Sequence, residues 1–267
     1  MSDLSSSAGA PGGGRGADGA GSGPVTAFDR GIREGDIGYV SLWVPDAERA
    51  MAFFSRVLGW TYLPTTEGRT AQVAGRALPH GVDGGHDSSN LFLCFVVEDI
   101  DAARQRVSDA GGVADEATEE SHGRTALCAD GEGTACALFQ PPPGRRGERR
   151  AVNGTDQGDL AYVTMEVRDS AIARAFYGAV LGWRFQPGRV EDGWGPEDVV
   201  PMTGLSGGHD LATVVPMYRV DDMAVTVARV RGAGGSATEP TTEPYGLSSQ
   251  CVDDQGTRFY LGQLPSD

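Results

Sequence analysis

The sequence predicts an α+β protein of two tandem domains, each built from two βαβββ modules. The segment GDIGYVSLWVPD at 35–46 returns as GDLAYVTMEVRD at 158–169. The motifs LGW and GGHD and one cysteine also return, and every copy follows its partner by 123 positions. Strand and helix patterns alternate in the same order twice within each copy. A duplication without gaps predicts two domains of roughly a hundred residues each, and four modules in all.

The first module shows how each element is inferred. Residues 39–44 alternate with a period of two, which predicts a strand. Asp46 is a residue type that begins helices and Gly59 one that ends them, so a helix is expected between them. The predicted buried face of that helix comprises Met51, Phe54, Val57 and Leu58. Shorter strand-like segments within 60–83 complete the module.

The other three modules follow the same plan. In the second, a strand at 91–97 precedes a helix that begins after Asp99 and stops at Gly111-Gly112. The second repeat has predicted strands at 161–167 and 212–220 and predicted helices at 171–181 and 223–233.

Composition sets the domain limits. Residues 1–33 are rich in Gly, Ser and Ala, so we expect them to be disordered or ordered only by contact with a domain. Residues 142–157 begin with prolines, carry an arginine cluster and are predicted to link the domains. The predicted domains are therefore 34–141 and 158–265.

The net charge of −15 argues against functions that require a basic surface. Nucleic acids and anionic membranes both attract positive charge, so we expect neither as a partner. The chain has no run of 18 apolar residues and its first residues lack the pattern of a secretory signal, which favours a cytoplasmic protein. The four cysteines show no metal-binding spacing and are expected to be free buried thiols.

Several motifs together resemble a known family. They are VSLWVPD at 40–46, AFF at 52–54, LGW at 58–60, FVVED at 95–99, AGG at 110–112 and the turns at 130–133 and 253–256. This combination is similar to the vicinal oxygen chelate superfamily, which includes glyoxalase I, bleomycin-resistance proteins and extradiol dioxygenases. The closest likeness is to its tandem two-repeat actinobacterial members.

The resemblance implies a fold and a test for a metal. The sheet of each domain is expected to curl into a cup, with the helices outside and a ligand inside. Family members that use a metal hold it with His, Gln or Glu on particular strands. Those positions fall here on Tyr39 and Tyr162, about Phe92 and about Val215, and Ala137 and Tyr260. These side chains form no plausible ligand set, so neither a metal nor another cofactor is expected.

Strand alternation predicts which side chains line the cups. The first cup is expected to be aromatic and nearly uncharged, either as a filled core or as a site for a flat apolar ligand. Its predicted residues are Tyr39, Ser41, Trp43, Phe92, Cys94, Val96, Ala135, Ala137 and Phe139. Those of the second cup are Tyr162, Thr164, Glu166, Val215, Met217, Arg219, Arg258 and Tyr260.

The charges of the second cup allow two interpretations. Glu166 stands where the first cup has Trp43, and buried charges are costly unless paired. The acid could form a structural pair with Arg219 or Arg258, or it could anchor a ligand or act as an acid–base group. The hydroxyls of Tyr39 and Tyr162 could likewise donate to a ligand or only pack.

Three further sets of residues remain open. Trp194 lies in a loop where it could stack on a ligand or pack between the domains. His86 and His209, in the two GGHD motifs, could bond to the backbone of a turn, or contact a ligand at the rim and act as a base with Asp87 or Asp210. His80 and His122 have no histidine partner in the other repeat, so surface positions are expected.

The function predicted from these observations is metal-independent binding of a small organic molecule. The ligand would be aromatic or amphipathic, such as a natural product or antibiotic, and the protein a monomer or homodimer. The predicted ligand-binding residues are Tyr39, Trp43, Phe92, Tyr162, Thr164, Glu166, Trp194, Met217, Arg219, Arg258 and Tyr260. One alternative is a glyoxalase-like lyase or isomerase, or a metal-free isomerase or cyclase, with Glu166 and Tyr162 catalytic. Another is a non-catalytic structural or interaction protein with filled cups.

Overall fold

A computed structural model describes residues 31–63, 69–76, 78–120, 122–143 and 154–265. Most of the predicted tail, residues 1–30, and residues 144–153 of the predicted linker lie outside this range. The described residues form two similar halves, each a mixed nine-stranded sheet with two helices. The predicted α+β class and the four modules are confirmed. Within the described part of the chain, no helix is both long and apolar enough to cross a membrane.

The first half contains two modules in chain order. The first comprises β1 (Ile37–Trp43), α1 (Ala47–Leu58), β2 (Tyr62–Leu63), β3 (Thr70–Val73) and β4 (His80–Asp83). The second comprises β5 (Asn90–Val96), α2 (Ile100–Asp109), β6 (Val113–Ala114), β7 (Thr118–Glu120), β8 (Gly123–Ala129) and β9 (Ala135–Gln140). Strands β6 and β7 both pair with β8, so together they act as one interrupted strand.

The second half repeats this order. Its first module comprises β10 (Leu160–Glu166), α3 (Ser170–Leu181), β11 (Phe185–Pro187), β12 (Gly193–Pro196) and β13 (Thr203–Ser206). Its second module comprises β14 (Thr213–Arg219), α4 (Met223–Gly232), β15 (Ser236–Ala237), β16 (Thr241–Glu243), β17 (Gly246–Val252) and β18 (Arg258–Gln263).

The two modules of each half join through their opening strands. The first sheet has the order β2-β3-β4-β1-β5-β9-β8-β6, and the second has β11-β12-β13-β10-β14-β18-β17-β15. Strand β1 is antiparallel to β5, whereas β4 and β9 run parallel to the opening strands of their own modules. The sequence left open whether modules pair within or across repeats, and the register shows that they pair within each repeat.

The helix ends are those that the sequence predicts for the first module of each half. Asp46 accepts a hydrogen bond from Arg49 N, and Asp169 accepts from Ala171 N and Ile172 N. Gly59 and its counterpart end their helices in the left-handed conformation, at φ 73° and 71°. One detail of the predicted buried face is wrong, because Met51 is only half-buried and Phe53 is buried in its place.

The alternation of the strands sorts their side chains as predicted. Val40, Leu42 and Val44 belong to the large core under the helices. Tyr39 and Trp43 belong to a separate cluster on the opposite face of the sheet. The four cysteines are free and buried, as expected. Each sheet therefore has one face packed on helices and one face that forms the cup.

The helices lie between the two halves. Helix α1 packs against α4 and α2 against α3, and the buried residues of both halves form one continuous hydrophobic core. The helices are thus outside each cup, as the resemblance implies, and they also make the contact between domains.

The repeated LGW and GD motifs meet across this contact. Trp60 Nε1 donates to Gly158 O at 2.9 Å, and Trp183 Nε1 donates to Gly35 O at 2.8 Å. A Cβ at Gly158 would stand 2.9 Å from Trp60 Nε1, so the indole requires a glycine there. A reciprocal interface uses the same patch on both partners, which explains why these motifs occur in both repeats.

The closing turn of each half also binds the helix start of the other. Gln255 accepts from Asp46 N at 2.9 Å and donates to Asp46 O at 3.0 Å. Its counterpart Glu132 accepts from Arg168 N at 3.0 Å and from Asp169 N at 2.9 Å. Each cap aspartate therefore stabilises its own helix while its backbone is held by the other domain.

One member of this interface lacks its partner. Asp130 Oδ2 accepts from the Tyr177 hydroxyl at 2.9 Å. In the other half, Asp253 occupies the place of Asp130 and Phe54 the place of Tyr177. Phe54 has no hydroxyl, and Asp253 Oδ2 is buried without a hydrogen bond within the described residues. Burial raises the pKa of Asp253.

We expect Phe54→Tyr to raise the free energy of unfolding by about 1 kcal/mol, because its hydroxyl supplies the donor that Asp253 lacks. Tyr177→Phe should lower it by about 1–3 kcal/mol, since it leaves a second buried carboxylate oxygen unpaired. Urea denaturation of wild-type protein and of each variant measures these changes in the free energy of unfolding. The control is Phe53→Tyr, which adds the same hydroxyl one residue away. Equal destabilisation by Phe53→Tyr and Phe54→Tyr would contradict the assignment.

Candidate functional site

The first cup is filled by its own side chains. Phe92, Cys94, Val96, Ala137 and Phe139 are buried and pack as a cluster with Tyr39 and Trp43 at its edge. The Trp43 ring stacks between those of Phe92, at 4.6 Å, and His86, at 4.3 Å between centroids. His122, expected at the surface, is half-buried with its ring 5.6 Å from that of Phe139. The aromatic rings of the first cup therefore pack against one another.

The two rim histidines have partners that the sequence did not predict. His86 Nε2 lies 2.9 Å from Asp83 Oδ2, and Asp83 is buried at the end of β4. His209 Nε2 lies 3.2 Å from Ser206 Oγ, and its Nδ1 lies 3.9 Å from Glu166 Oε2. Both side chains therefore bond to side chains, neither to the turn backbone nor to the adjacent aspartate.

The second cup holds a bidentate ion pair. Arg258 Nη1 and Nη2 each donate to a carboxylate oxygen of Glu166 at 2.7 Å. The Glu166 side chain is 8% exposed and that of Arg258 is 49% exposed. Of the two pairings left open, the structure forms the one with Arg258. Tyr260 lies beside Arg258, and burial raises the pKa of its hydroxyl.

The tyrosines at the centres of the two cups differ in their hydrogen bonding. Each hydroxyl lies over a glycine of the neighbouring strand, Gly81 or Gly204, where a Cβ would collide with it. The hydroxyl of Tyr39 accepts from Gln72 Nε2 at 3.0 Å. The residue 123 positions after Gln72 is Gly195, which has no side chain to offer.

The hydroxyl of Tyr162 consequently has no hydrogen-bond partner among the described residues. A Cβ at Gly195 would meet no atom within 4 Å, so there is open space beside it. Burial raises the pKa of Tyr162, which keeps the hydroxyl protonated and able to donate. Comparison of positions 123 apart could have revealed this difference, but only if the contact of Gln72 with Tyr39 were known.

The strand register shows how the residues at the predicted metal positions lie relative to one another. In the first cup, Tyr39 is paired with Cys94 and Cys94 with Ala137. In the second, Tyr162 is paired with Met217 and Met217 with Tyr260. The predicted middle positions, about Phe92 and about Val215, are paired with Ser41 and Thr164 in the same registers.

Neither row fits the metal that the family implies, because each lacks a histidine or carboxylate. In the part of the chain that the structure describes, no three His, Cys, Asp or Glu side chains lie together in a way that could hold an ion.

Trp194 does not line the second cup. It pairs with Leu205 in the adjacent strand, and Leu205 belongs to the core on the helix side. Its ring lies under the Arg174 guanidinium of α3, 3.7 Å from the centroid, and Nε1 donates to Asp192 at 3.0 Å. Both predicted roles, ligand stacking and interdomain packing, are thus corrected, because Trp194 packs on a helix of its own domain.

Two open spaces border the ion pair. A cavity of about 280 Å³ in the second cup is lined by residues that include Val215, Thr238, Gln250, Arg258 and Tyr260. A groove of about 410 Å³ between the domains is lined by residues that include Ser89, Asn90, Glu166, His209 and Arg258. Arg258 thus lines both spaces.

His80 lies in the domain interface, not at the surface as expected. It is buried, with Nδ1 2.9 Å from Gly81 O and Nε2 3.0 Å from the Tyr218 hydroxyl. A carbonyl only accepts, so Nδ1 carries the proton and Nε2 accepts from Tyr218. Burial lowers the pKa of His80 to about 4.

Two tandem α+β domains, each a pair of βαβββ modules around a cup, define the class of this protein. Residues 36–138 match the family model described as the Glyoxalase/Bleomycin resistance protein/Dioxygenase superfamily. The first domain therefore belongs to this superfamily, as the resemblance to the vicinal oxygen chelate proteins indicated, and the second repeats its fold. Among curated proteins there is no match.

Solved structures confirm the arrangement over most of the chain. The Mn(II)-bound glyoxalase from Novosphingobium aromaticivorans has a TM-score of 0.64 at 15% identity, covering 86% of this chain and 82% of the other. The 2,2',3-trihydroxybiphenyl 1,2-dioxygenase from Sphingomonas wittichii strain RW1 has a TM-score of 0.59 at 17% identity, covering 88% of this chain and 93% of the other. A variant of 4-hydroxymandelate synthase from Streptomyces coelicolor has a TM-score of 0.57 at 15% identity, covering 88% of this chain and 94% of the other. At these identities the likeness is one of fold.

We expect the protein to lose stability as the pH falls below about 6.5, the ordinary pKa of histidine. In the unfolded chain His80 is protonated as the pH falls below that value. In the folded protein the buried side chain stays neutral until the pH approaches its pKa of about 4. The loss attributable to His80 is up to about 3 kcal/mol. Urea denaturation at several pH values between about 7 and about 5 measures it. His80→Gln should show a shallower dependence, and an equal slope in both proteins would contradict this role.

Proposed function

We propose that the protein binds a small aromatic or amphipathic organic molecule in its second cup and needs no metal ion to do so. The observation that carries this proposal is the hydroxyl of Tyr162, which has no hydrogen-bond partner in the described part of the chain and lies beside the open space at Gly195. The equivalent hydroxyl in the first cup is occupied by Gln72. A half-buried donor without a protein acceptor is a group that a ligand can satisfy.

The walls of the second cup support an amphipathic ligand. Val215 and Met217 give its floor an apolar surface, and both are buried. Tyr260 and Arg258 line the cavity of about 280 Å³, and Arg258 is paired with Glu166. Apolar walls with a few placed polar groups are typical of small-molecule sites. Thr164 projects from β10 between Tyr162 and Glu166 and is half-buried, so it can contribute a further hydroxyl.

Two further observations agree with an aromatic ligand. The first cup is filled by its own aromatic rings, so the second cup is the better candidate for binding a ligand. Two structures of similar fold carry names of aromatic compounds, trihydroxybiphenyl and hydroxymandelate. A natural product or antibiotic of that kind, sequestered by a monomeric or homodimeric protein in the cytoplasm, fits this proposal.

The matched pair Tyr162→Phe and Tyr39→Phe tests the proposal. Wild-type protein is screened by thermal shift against planar aromatic compounds, and binders are titrated calorimetrically. Tyr162→Phe should weaken binding by about three- to tenfold, because it removes one hydrogen bond to the ligand. Tyr39→Phe should leave the affinity unchanged and lower only the stability. Equal effects of the two substitutions, or the absence of any binder, would overturn binding in the second cup.

An enzymatic role is the alternative, and one contact favours it. His209 Nδ1 lies 3.9 Å from Glu166, so an acid and a base stand at one rim of the cup. Under our proposal, wild-type protein incubated with a bound compound returns it unchanged by chromatography, and Glu166→Gln retains binding. Conversion of the compound that is lost in Glu166→Gln but kept in the exposed-surface control Glu239→Gln would establish the catalytic role instead.

A further inference from the structure

One cation of the second cup, Arg219, has no anionic partner among the residues that the structure describes. Glu166 and Arg258 neutralise each other through two hydrogen bonds. Arg219 forms no ion pair among the described residues, where its one hydrogen bond runs from Nη1 to the carbonyl of Gly154 at 3.1 Å. Its Nε is buried and has no acceptor within those residues.

The strand register directs this cation toward the cup. Val215, Met217 and Arg219 alternate with Val214 and Tyr218, which belong to the core on the helix side. Arg219 therefore lies on the cup face, at the end of β14 opposite to Thr213, the register partner of Glu166. The two ends of the cup differ in charge, since one holds a neutralised pair and the other a guanidinium with no ion pair in the described part of the chain.

The fold itself does not require this charge. The residue 123 positions before Arg219 is Val96, which is buried in the apolar cluster of the first cup. The same strand position therefore accepts an aliphatic side chain in the same architecture. Arg219 is half-buried, and a ligand carboxylate beside it would supply the counter-charge that the described residues do not.

The free edge of the guanidinium defines the chemistry of that ligand. Nη1 donates to Gly154 O, and the edge formed by Nε and Nη2 has no acceptor among the described residues. Two parallel N–H groups match the two oxygens of a planar carboxylate.

We propose that the ligand of the second cup is an aromatic carboxylate and that Arg219 binds its carboxylate group. This inference rests on the proposed function of the second cup and adds the charge of the ligand. Tyr162 and Tyr260 flank Met217 on the two neighbouring strands, and Met217 lies two residues before Arg219 in β14. Two residues of a strand span about 7 Å, so a ring over this row places its carboxylate at Arg219.

Calorimetric titration with biphenyl-4-carboxylate and biphenyl-4-carboxamide tests the inference on the full chain. The two probes have nearly the same shape and differ in charge. Wild-type protein should bind the carboxylate about tenfold or more tightly than the carboxamide, as expected for a charge-assisted bidentate contact. Arg219→Val, which installs the residue of the first cup, should abolish this preference. Arg219→Lys keeps the charge without the planar fork and should retain part of it.

Arg184→Gln is the matched control, because it removes an equal charge from an exposed side chain of the same domain. It should bind both probes as wild-type protein does. A thermal unfolding curve for each variant separates loss of the fold from loss of the contact, and Arg219→Lys serves if Arg219→Val does not fold.

Each outcome bears on a different claim. Equal affinity for the two probes in wild-type protein, or a preference that survives Arg219→Val, overturns the role of Arg219 but leaves binding in the cup intact. Failure of wild-type protein to bind either probe, together with every neutral compound of the thermal-shift panel, overturns the proposed function as well.

Discussion

The reciprocal contact between the two domains is the constraint on which the rest of this structure depends. Each LGW tryptophan donates to a glycine carbonyl at the start of the other domain, and the helices of the two halves pack between the sheets. Burial of the helix faces in one shared core removes apolar surface that neither domain could cover alone. Because the interface uses the same patch twice, the same constraint acts on both copies, and the LGW and GD motifs repeat.

The opposite faces of the sheets carry no such constraint, and there the copies have diverged. The cup side of the first sheet has become a packed aromatic cluster, whereas that of the second carries Glu166, Arg219 and Arg258. The replacement of Gln72 by Gly195 removes the partner of one tyrosine hydroxyl and leaves space beside it. Duplication thus supplies two equivalent scaffolds, of which one contributes mainly packing and the other keeps free polar groups.

The sequence predicted the fold well and the site only in part. Strand alternation separated Val40 and Leu42 from Tyr39 and Trp43, because side-chain direction follows from backbone geometry alone. The same rule placed Glu166 in the second cup but left its partner open between two arginines. Trp194 was misplaced because its short strand follows a loop whose register no local pattern reveals. His80 was expected at the surface because its partner Tyr218 lies 138 positions away.

By itself the sequence determined the number of modules, their order, the helix caps and the face of each opening strand. These features depend on residues close together in the chain or on the repeat. Only the tertiary structure decided that the modules pair within each repeat, that the helices lie between the domains and that Arg258 neutralises Glu166. It also decided which tyrosine hydroxyl has no partner among the residues described. Such features depend on distances between residues far apart in the chain, which neither spacing nor composition specifies.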